Sequence, residues 1–467
     1  MASITQKITH IFTGDILSRG IAFITTIYLA RSLGTEGFGL VSIAMAYLGY
    51  LVFFADFGLF NIASREVARD ESKRNYRISE LLILRIFMAL SVLMISWFIM
   101  PFIIEDSQLL SLTRGFMLAL IPHSFLVEWY FIGVQRYKVN ALSNIIKNGV
   151  YLILILLFVD SMDQIPALPF YYVTGLLASA VMLIWIFLKD NPLQLGFRGF
   201  HILWDGLKAA ITVGSGSFFA QVIQLFPPIA IGYFLTTSNA GEYSAAFRLI
   251  IAGMLIDRIF VQLLIPNLSK QWSEDKELAT LNMDHTMRLM LVLGALASIG
   301  LFLGAPDFIL LVFGSEFENS ISIVMVLSFL LFVTFQNSIF SHGLVALGKD
   351  LDYLKATSIG GAIGIVLIAI GASQFGVLAV AAAVVLSEFF IGTLAYYWYT
   401  KHMKVHYIMP FILTILSFFV TYKLMDIVRI QYWVEAILGA VILFFILLFA
   451  RVIRKKDINW FLLKLGL

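Results

Sequence analysis

Apolar residues run along this chain in stretches of about 20, the length at which a helix rising 1.5 Å per residue crosses a hydrocarbon core about 30 Å thick. Short segments rich in Lys, Arg, Asp, Gly or Pro separate them. Such windows fall at residues 10–30, 39–62, 79–104, 109–133, 139–160, 166–189, 205–234, 241–266, 284–313, 316–345, 352–371, 376–398, 406–424 and 431–452. The pattern predicts an all-α polytopic membrane protein with fourteen transmembrane helices.

The pattern also repeats. Displacing the sequence by 205 residues lays Tyr28 on Tyr233 and aligns YLARSLGTEGFG, from Tyr28 to Gly39, with YFLTTSNAGEYS, from Tyr233 to Ser244. Spans one to six then fall on seven to twelve. Two six-span units joined head to tail share one orientation, so the pseudo-twofold axis runs along the membrane normal. The organisation that follows is a six-helix bundle over residues 1–189, a cytoplasmic linker over 190–204 with the turn signals Asn191-Pro192 and Gly196 to Gly199, a second six-helix bundle over 205–399, and an extra helix pair with a cytoplasmic tail over 400–467. The end of that tail, INWFLLKLGL after Arg454-Lys455-Lys456, reads either as a short helix at an anionic leaflet or as a frayed end.

Composition narrows the class further. The chain is 60% hydrophobic and 13% charged, with a mean hydropathy of +0.92, where soluble domains are about 25% charged. Cysteine is absent, which excludes a disulfide framework, a zinc-thiolate site and thiol catalysis. The first span, broken by Asp15 and Arg19 and lacking a small-residue cleavage site, is not a removable signal peptide. Basic residues are strongly partitioned among the loops: one side collects Lys7, the run from Arg65 to Arg77, Arg136, Lys138, Lys349, Lys401, Lys404 and the cluster from Arg451 to Lys456, whereas the other holds Arg31, Lys423 and Arg429. By the positive-inside rule both termini are cytoplasmic. The net charge of +3 is thus a topological signal, with nothing pointing to nucleic acid.

Seven cations sit inside the apolar windows: Arg19, Arg85, Arg114, Lys147, Arg248, Arg258 and Arg288. Each costs at least about 2.5 to 3.5 kcal/mol at a span centre, so such a charge faces a wet cavity, a carboxylate or an anionic ligand. Arg85, Arg114 and Arg288 lie within about two turns of a span end, where a long side chain reaches the headgroups. Arg19, Lys147, Arg248 and Arg258 lie deeper and are the candidate contacts for an anionic substrate. Arg19 follows Asp15 by four positions, so that pair can also neutralise itself. On one continuous helix Arg248 and Arg258 stand about 80° apart and line one wall. Three buried acids, Asp56, Asp257 and Glu388, are candidates for exchanging H⁺ or Na⁺, or equally for pairing with a nearby base; Glu128 is shallower, and His123 beside Pro122 is either a relay member or a packed histidine. Gly214, Gly216 and Pro227-Pro228 predict a kinked seventh span, facing Gly14 and Gly20 in its counterpart.

Two apparent motifs fail. GLVALGKD, Gly343 to Asp350, has the glycines of a phosphate loop, but Asp350 replaces the metal-binding hydroxyl and no strand precedes it. His402 and His406 have a metal-ligand spacing without a third ligand. No catalytic constellation is visible, and the expectation is a non-enzyme without a cofactor.

Residues 29–69, LARSLGTEGFGLVSIAMAYLGYLVFFADFGLFNIASREVAR, resemble the start of the Wzx-type polysaccharide flippases, the polysaccharide transport branch of the MATE-like MOP exporter superfamily. The Leu33-Gly34 and Phe38-Gly39 turn, Asp56-Phe57-Gly58 and Arg65-Glu66 carry the match, and FIGVQRYKVNALSNIIKNGV, residues 131–150, resembles the junction of the family's fourth and fifth spans. The resemblance implies a V-shaped pair of bundles around a central cavity, in a bacterial cytoplasmic (inner) membrane. It further implies movement of an undecaprenyl diphosphate-linked oligosaccharide, such as an O-antigen repeat unit, to the outer leaflet, with Arg19 at the position of the family's first-span cation. Its implied partners are that lipid-linked oligosaccharide, membrane lipids and the polysaccharide polymerase machinery. A cation-coupled small-molecule antiporter of the same architecture is the alternative, disfavoured by the excess of bases over acids in the spans. A membrane glycosyltransferase or polymerase needs a large outer loop, and the outer loops are short.

Overall fold

A backbone that enters lipid must close its own hydrogen bonds, and the computed structural model meets this with helices: among the described residues there is no strand. The structure describes residues 4–69, 74–190, 218–219, 221–428 and 431–465. Of the linker expected over 190–204 only Asp190 is described, as the last residue of a helix; the rest of it, Gly214, Gly216 and the loop residue Lys73 lie outside the described residues. The chain divides into two compact units, Met1–Ile229 and Ala230–Leu467.

In the first unit the two leading windows join as α1 (Ile4–Asp56), whose apolar part runs from Gly14 to Asp56. Forty-three residues at 1.5 Å each are about 65 Å, twice a hydrocarbon core, so α1 folds back at Gly34, where φ is 66°. Only glycine takes that angle without strain. Backbone angles stay helical through Gly14 and Gly20, so the break expected there in span one is absent, and the chain turns only at Gly34, between the first two windows. A turn with positive φ at Phe57 (32°) and Gly58 (93°) leads into the amphipathic α2 (Leu59–Arg69), apolar and buried at Leu59, Ala63 and Val67. Next come α3 (Arg74–Ile99) and, where one fourth span was expected, three short helices: α4 (Ser107–Met117), α5 (Leu120–Ser124) and α6 (Glu128–Gly133). Pro122, lacking an N–H, sits within this broken stretch. Two full-length spans, α7 (Tyr137–Phe158) and α8 (Leu168–Asp190), complete the set, and α9 (Gln221–Phe234) continues through Pro227-Pro228 into the second unit.

The second unit is built around α13 (Ser320–Ala346), the most enclosed of the candidate spans. Before it come α10 (Thr237–Gly253), α11 (Leu255–Glu274) and the 37-residue α12 (Lys276–Val312). After it come α14 (Asp350–Ile370), α15 (Val377–Tyr399), α16 (Ile408–Val428) and α17 (Tyr432–Phe449). The expected eighth span is interrupted at Met254, between α10 and α11. Small residues set the close approaches: a Cβ on Gly360 would strike the backbone of Ile391, and one on Gly439 would strike Leu303. The tail forms α18 (Lys455–Leu465), which docks on α12 through a buried hydrogen bond between His285 Nδ1 and Asp457 Oδ1 and a 2.7 Å hydrogen bond from Trp460 Nε1 to Asn282 Oδ1. Ten described segments are long and apolar enough to span, the first of them long enough for two crossings; the broken fourth and eighth windows and the short α9 are not single spans of that kind.

Glycine substitutions test this packing. At Gly175 in α8 a Cβ would sit 2.5 Å from the Lys147 carbonyl oxygen on α7, whereas at Gly149 nothing lies within 4 Å. Gly175→Ala is expected to cost about 1–3 kcal/mol by forcing the helices apart. Gly149→Ala is expected to stabilise by roughly 0.5–1 kcal/mol through helix propensity. Thermal unfolding of the two purified variants gives Tm shifts of opposite sign; equal shifts would contradict the α7–α8 contact.

Candidate functional site

The interruptions of the first unit's helices gather its polar side chains. Asp56, the last residue of α1, accepts a 3.2 Å hydrogen bond from the Phe60 amide and so satisfies a donor at the start of α2. Its other oxygen, Oδ1, faces Arg85 Nη2 at 3.4 Å and accepts no hydrogen bond. Arg85 is 4% exposed and sends one further N–H toward the Leu126 carbonyl, also at 3.4 Å, so a group with five donors makes only long contacts. Glu128, at the start of α6, is close enough to act on Arg85 electrostatically. One of its oxygens accepts from Ser143 Oγ at 3.2 Å, and Ser143 shares a 2.6 Å hydrogen bond with Ser179. Asp56, Arg85, Glu128, His123, Asn61 and Gln221 line a cavity of about 310 Å³ with Phe53 and Phe60.

In the second unit the polar groups converge on α13. Ser338 donates to Asp257 Oδ2 at 2.7 Å, Asn337 donates to Glu388, and Ser341 donates to the Asn337 carbonyl oxygen. Asp257 Oδ1 is buried without a hydrogen bond, in the first turn of α11 just past the interruption at Met254. Asp257 and Glu388 are near enough to interact through space. A smaller cavity, about 210 Å³, opens beside Gln336 and Asn337 between aromatic side chains that include Phe340, Tyr396 and Tyr407.

The residues singled out in the sequence therefore fall into different surroundings. Arg19 pairs with Asp15 at 2.8 Å, and both are substantially exposed. Lys147 is half-buried, donates to Asn144 Oδ1 at 2.7 Å, and acts on His123 electrostatically together with Arg85. Arg248 is half-buried on α10 and Arg258 exposed on α11. The interruption at Met254 puts those two on separate helices, so the 80° expected between them on one helix does not apply. Arg85 and Arg288 do not reach for headgroups as expected: each is 4% exposed, and Arg288 is held by Asp284 and by the Val452 carbonyl. Arg114 lies over the Trp97 ring. Sequence reasoning missed Arg85 and Glu128 as partners because each depth was counted from the end of its own span, Arg85 on the third and Glu128 on a fourth taken as unbroken. The signal available was Pro122-His123 and Glu128 within six positions of one another.

The sequence signature of a family described as polysaccharide biosynthesis protein matches residues 4–272, more than half of the chain. Two relatives match over most of their length. One is the probable low-salt glycan biosynthesis flippase Agl15 of Haloferax volcanii, 24% identical over 415 residues that make up 86% of this chain and 83% of that protein. The other is an Escherichia coli K12 protein named for O-antigen transport, 20% identical over 318 residues, 66% of this chain and 75% of that one. Among solved structures, the lipid II flippase MurJ in an inward closed conformation aligns with a TM-score of 0.75 at 13% identity, over 93% of this chain and 97% of that one. An inward-facing MATE family multidrug resistance transporter of the MOP superfamily aligns with a TM-score of 0.69 at 12% identity, over 82% and 93%. At those identities the likeness is one of fold. It agrees with the resemblance carried by residues 29–69 and 131–150, and the chain is a multi-pass membrane protein that belongs to the polysaccharide biosynthesis protein family.

Proposed function

We propose that this protein is a flippase that moves an undecaprenyl diphosphate-linked oligosaccharide from the cytoplasmic to the outer leaflet of the cytoplasmic membrane by alternating access. The observation that carries the reading is the half-open cavity around Arg85, lined by charged and amide side chains in a unit whose spans are otherwise apolar. The relatives' names point the same way, toward glycans. A glycan head cannot cross lipid unaided, since each hydroxyl buried without a partner costs about 1–3 kcal/mol. A protein cavity that supplies those partners lowers the barrier while the prenyl tail stays in lipid. For the diphosphate we assign Arg248 first, as a half-buried cation on α10; Arg258 and Lys147 are further candidates, and Arg19 a weaker one because Asp15 offsets its charge.

Coupling to an H⁺ or Na⁺ gradient is assigned to Asp257 and Glu388, whose amide and hydroxyl neighbours can support either a carboxylate or its neutral form. Asp56, although equally a candidate in the sequence, is better described as the counter-ion of Arg85. The same acids and the likeness in fold to multidrug transporters support a second reading, cation-coupled export of a small molecule. Orientation is assigned from the basic loops, with both termini cytoplasmic.

Three measurements test these assignments. The chain has no cysteine, so single ones report topology: Lys401→Cys should resist an impermeant maleimide in intact cells and label after permeabilisation, and Asp163→Cys should label in both. Reversed labelling overturns the orientation. In vesicles holding a fluorescent lipid-linked sugar, Arg248→Ala should lose most of the flipping and Arg248→Lys should keep part of it; full activity in the alanine variant removes Arg248 from the site, and absence of flipping by the unaltered protein favours the small-molecule reading. Glu388→Gln should still bind the lipid-linked sugar but lose its response to the gradient, whereas Asp56→Asn should lower folded yield, since leaving a buried charge without its partner costs about 3–5 kcal/mol. Equal flipping with every gradient collapsed would show that no ion is coupled.

A further inference from the structure

We infer that the first unit's cavity is a subsite for one uncharged sugar ring of the transported glycan, and that Asp56 and Glu128 make it reject rings bearing a carboxylate. The inference rests on the flippase reading and assigns that reading's selectivity to named residues.

Size sets the first limit. About 310 Å³ lies at the small end of the roughly 300–1,000 Å³ in which proteins hold small ligands, enough for a ring or two and too little for a whole lipid-linked head. The lining then specifies the chemistry. A sugar hydroxyl both donates and accepts, and the wall offers both: Asp56 and Glu128 accept, Arg85 donates, and Asn61 and Gln221 do either. Two of these groups are held as if for a partner. Asp56 Oδ1 is buried without a hydrogen bond, and Arg85 makes its contacts only at 3.4 Å, so an incoming hydroxyl has both an acceptor and donors to meet. Phe53 and Phe60 add apolar faces suited to the C–H side of a ring.

Charge decides between a neutral and an anionic ligand. The wall itself carries two carboxylates against one guanidinium, and Lys147, near enough to act on His123, brings the surroundings to balance, so there is no surplus of positive charge to draw an anion in. An anion would approach Arg85 past Asp56 and Glu128 and would have to displace one of them. A cation would meet Arg85. An uncharged polyhydroxyl ring meets neither penalty and leaves the Asp56–Arg85 pair in place. The diphosphate therefore sits elsewhere on the protein.

The test uses the full-length protein in lipid nanodiscs and three probes: undecaprenyl diphosphate carrying a single glucose, the same lipid carrying glucuronic acid, and undecaprenyl diphosphate without sugar. Glucose and glucuronic acid differ only at C6, so their comparison isolates the carboxylate. The unaltered protein should bind the glucose probe about tenfold more tightly than the glucuronic acid probe, and Glu128→Gln should narrow that gap. Replacing Asn61 and Gln221 together by Ala removes two hydrogen-bonding side chains that are not buried. The change should weaken the glucose probe about tenfold and leave the sugar-free lipid unaffected, with Tm unchanged. Equal weakening of both probes would assign the cavity to the diphosphate; no weakening, or tight binding of glucuronic acid by the unaltered protein, would overturn the subsite. If the flippase reading itself is wrong, the unaltered protein binds none of the three probes, and the subsite falls with it.

Discussion

Lipid offers no water to an open backbone hydrogen bond, and this constraint accounts for where the polar side chains of the protein lie. Each place where a helix breaks inside an apolar window frees N–H and C=O groups that must find partners. At the end of α1 the Asp56 carboxylate takes the Phe60 amide, and on the fourth window Arg85 reaches the freed Leu126 carbonyl while Asn140 donates to the carbonyl of Glu128. At Met254 the break is followed within the first turn of α11 by Asp257, near the positive end of that helix. Broken helix and buried charge are thus one feature. The break requires polar company, and the company creates a site.

Charges follow the same economy. Asp15 with Arg19, Asp56 with Arg85 and Asp284 with Arg288 are paired within their own unit, and the Asp457 carboxylate is hydrogen-bonded by His285. They differ in how completely. Arg288 takes a 3.0 Å hydrogen bond from its guanidinium to the Val452 carbonyl and sits in a wall of packed side chains, which suits a fastener between α12 and the segment leading to α18. Arg85 is just as buried but loosely held beside a cavity. Burial alone does not separate a structural cation from a functional one; the length of its contacts and the space beside it do.

Much of the architecture was legible along the chain. The apolar windows located most of the long helices, the 205-residue repeat predicted paired helical bundles, and residues 29–69 carried the family. The i,i+4 spacing of Asp15 and Arg19 offered their ion pair as the alternative to a substrate contact, and the pair forms because both partners lie on one helix face. The family and the fold class were determined at this level, since the hydrophobic pattern and local motifs are properties of neighbouring residues.

The site was decided only by tertiary structure. Arg85 looked shallow because its depth was counted from the end of its own span, and Glu128 looked shallow for the same reason. The fourth window breaks around Pro122, and α5 and α6 bring His123, Leu126 and Glu128 against an arginine about 40 positions earlier in the chain. Likewise Asp257, Ser338 and Glu388 come from three helices whose meeting depends on α13 packing between its neighbours. Sequence determined that the chain is built of long apolar helices, because that depends on apolar length; which charges meet among them depends on where helices stop and how they pack, and those are set by contacts between residues far apart in the chain.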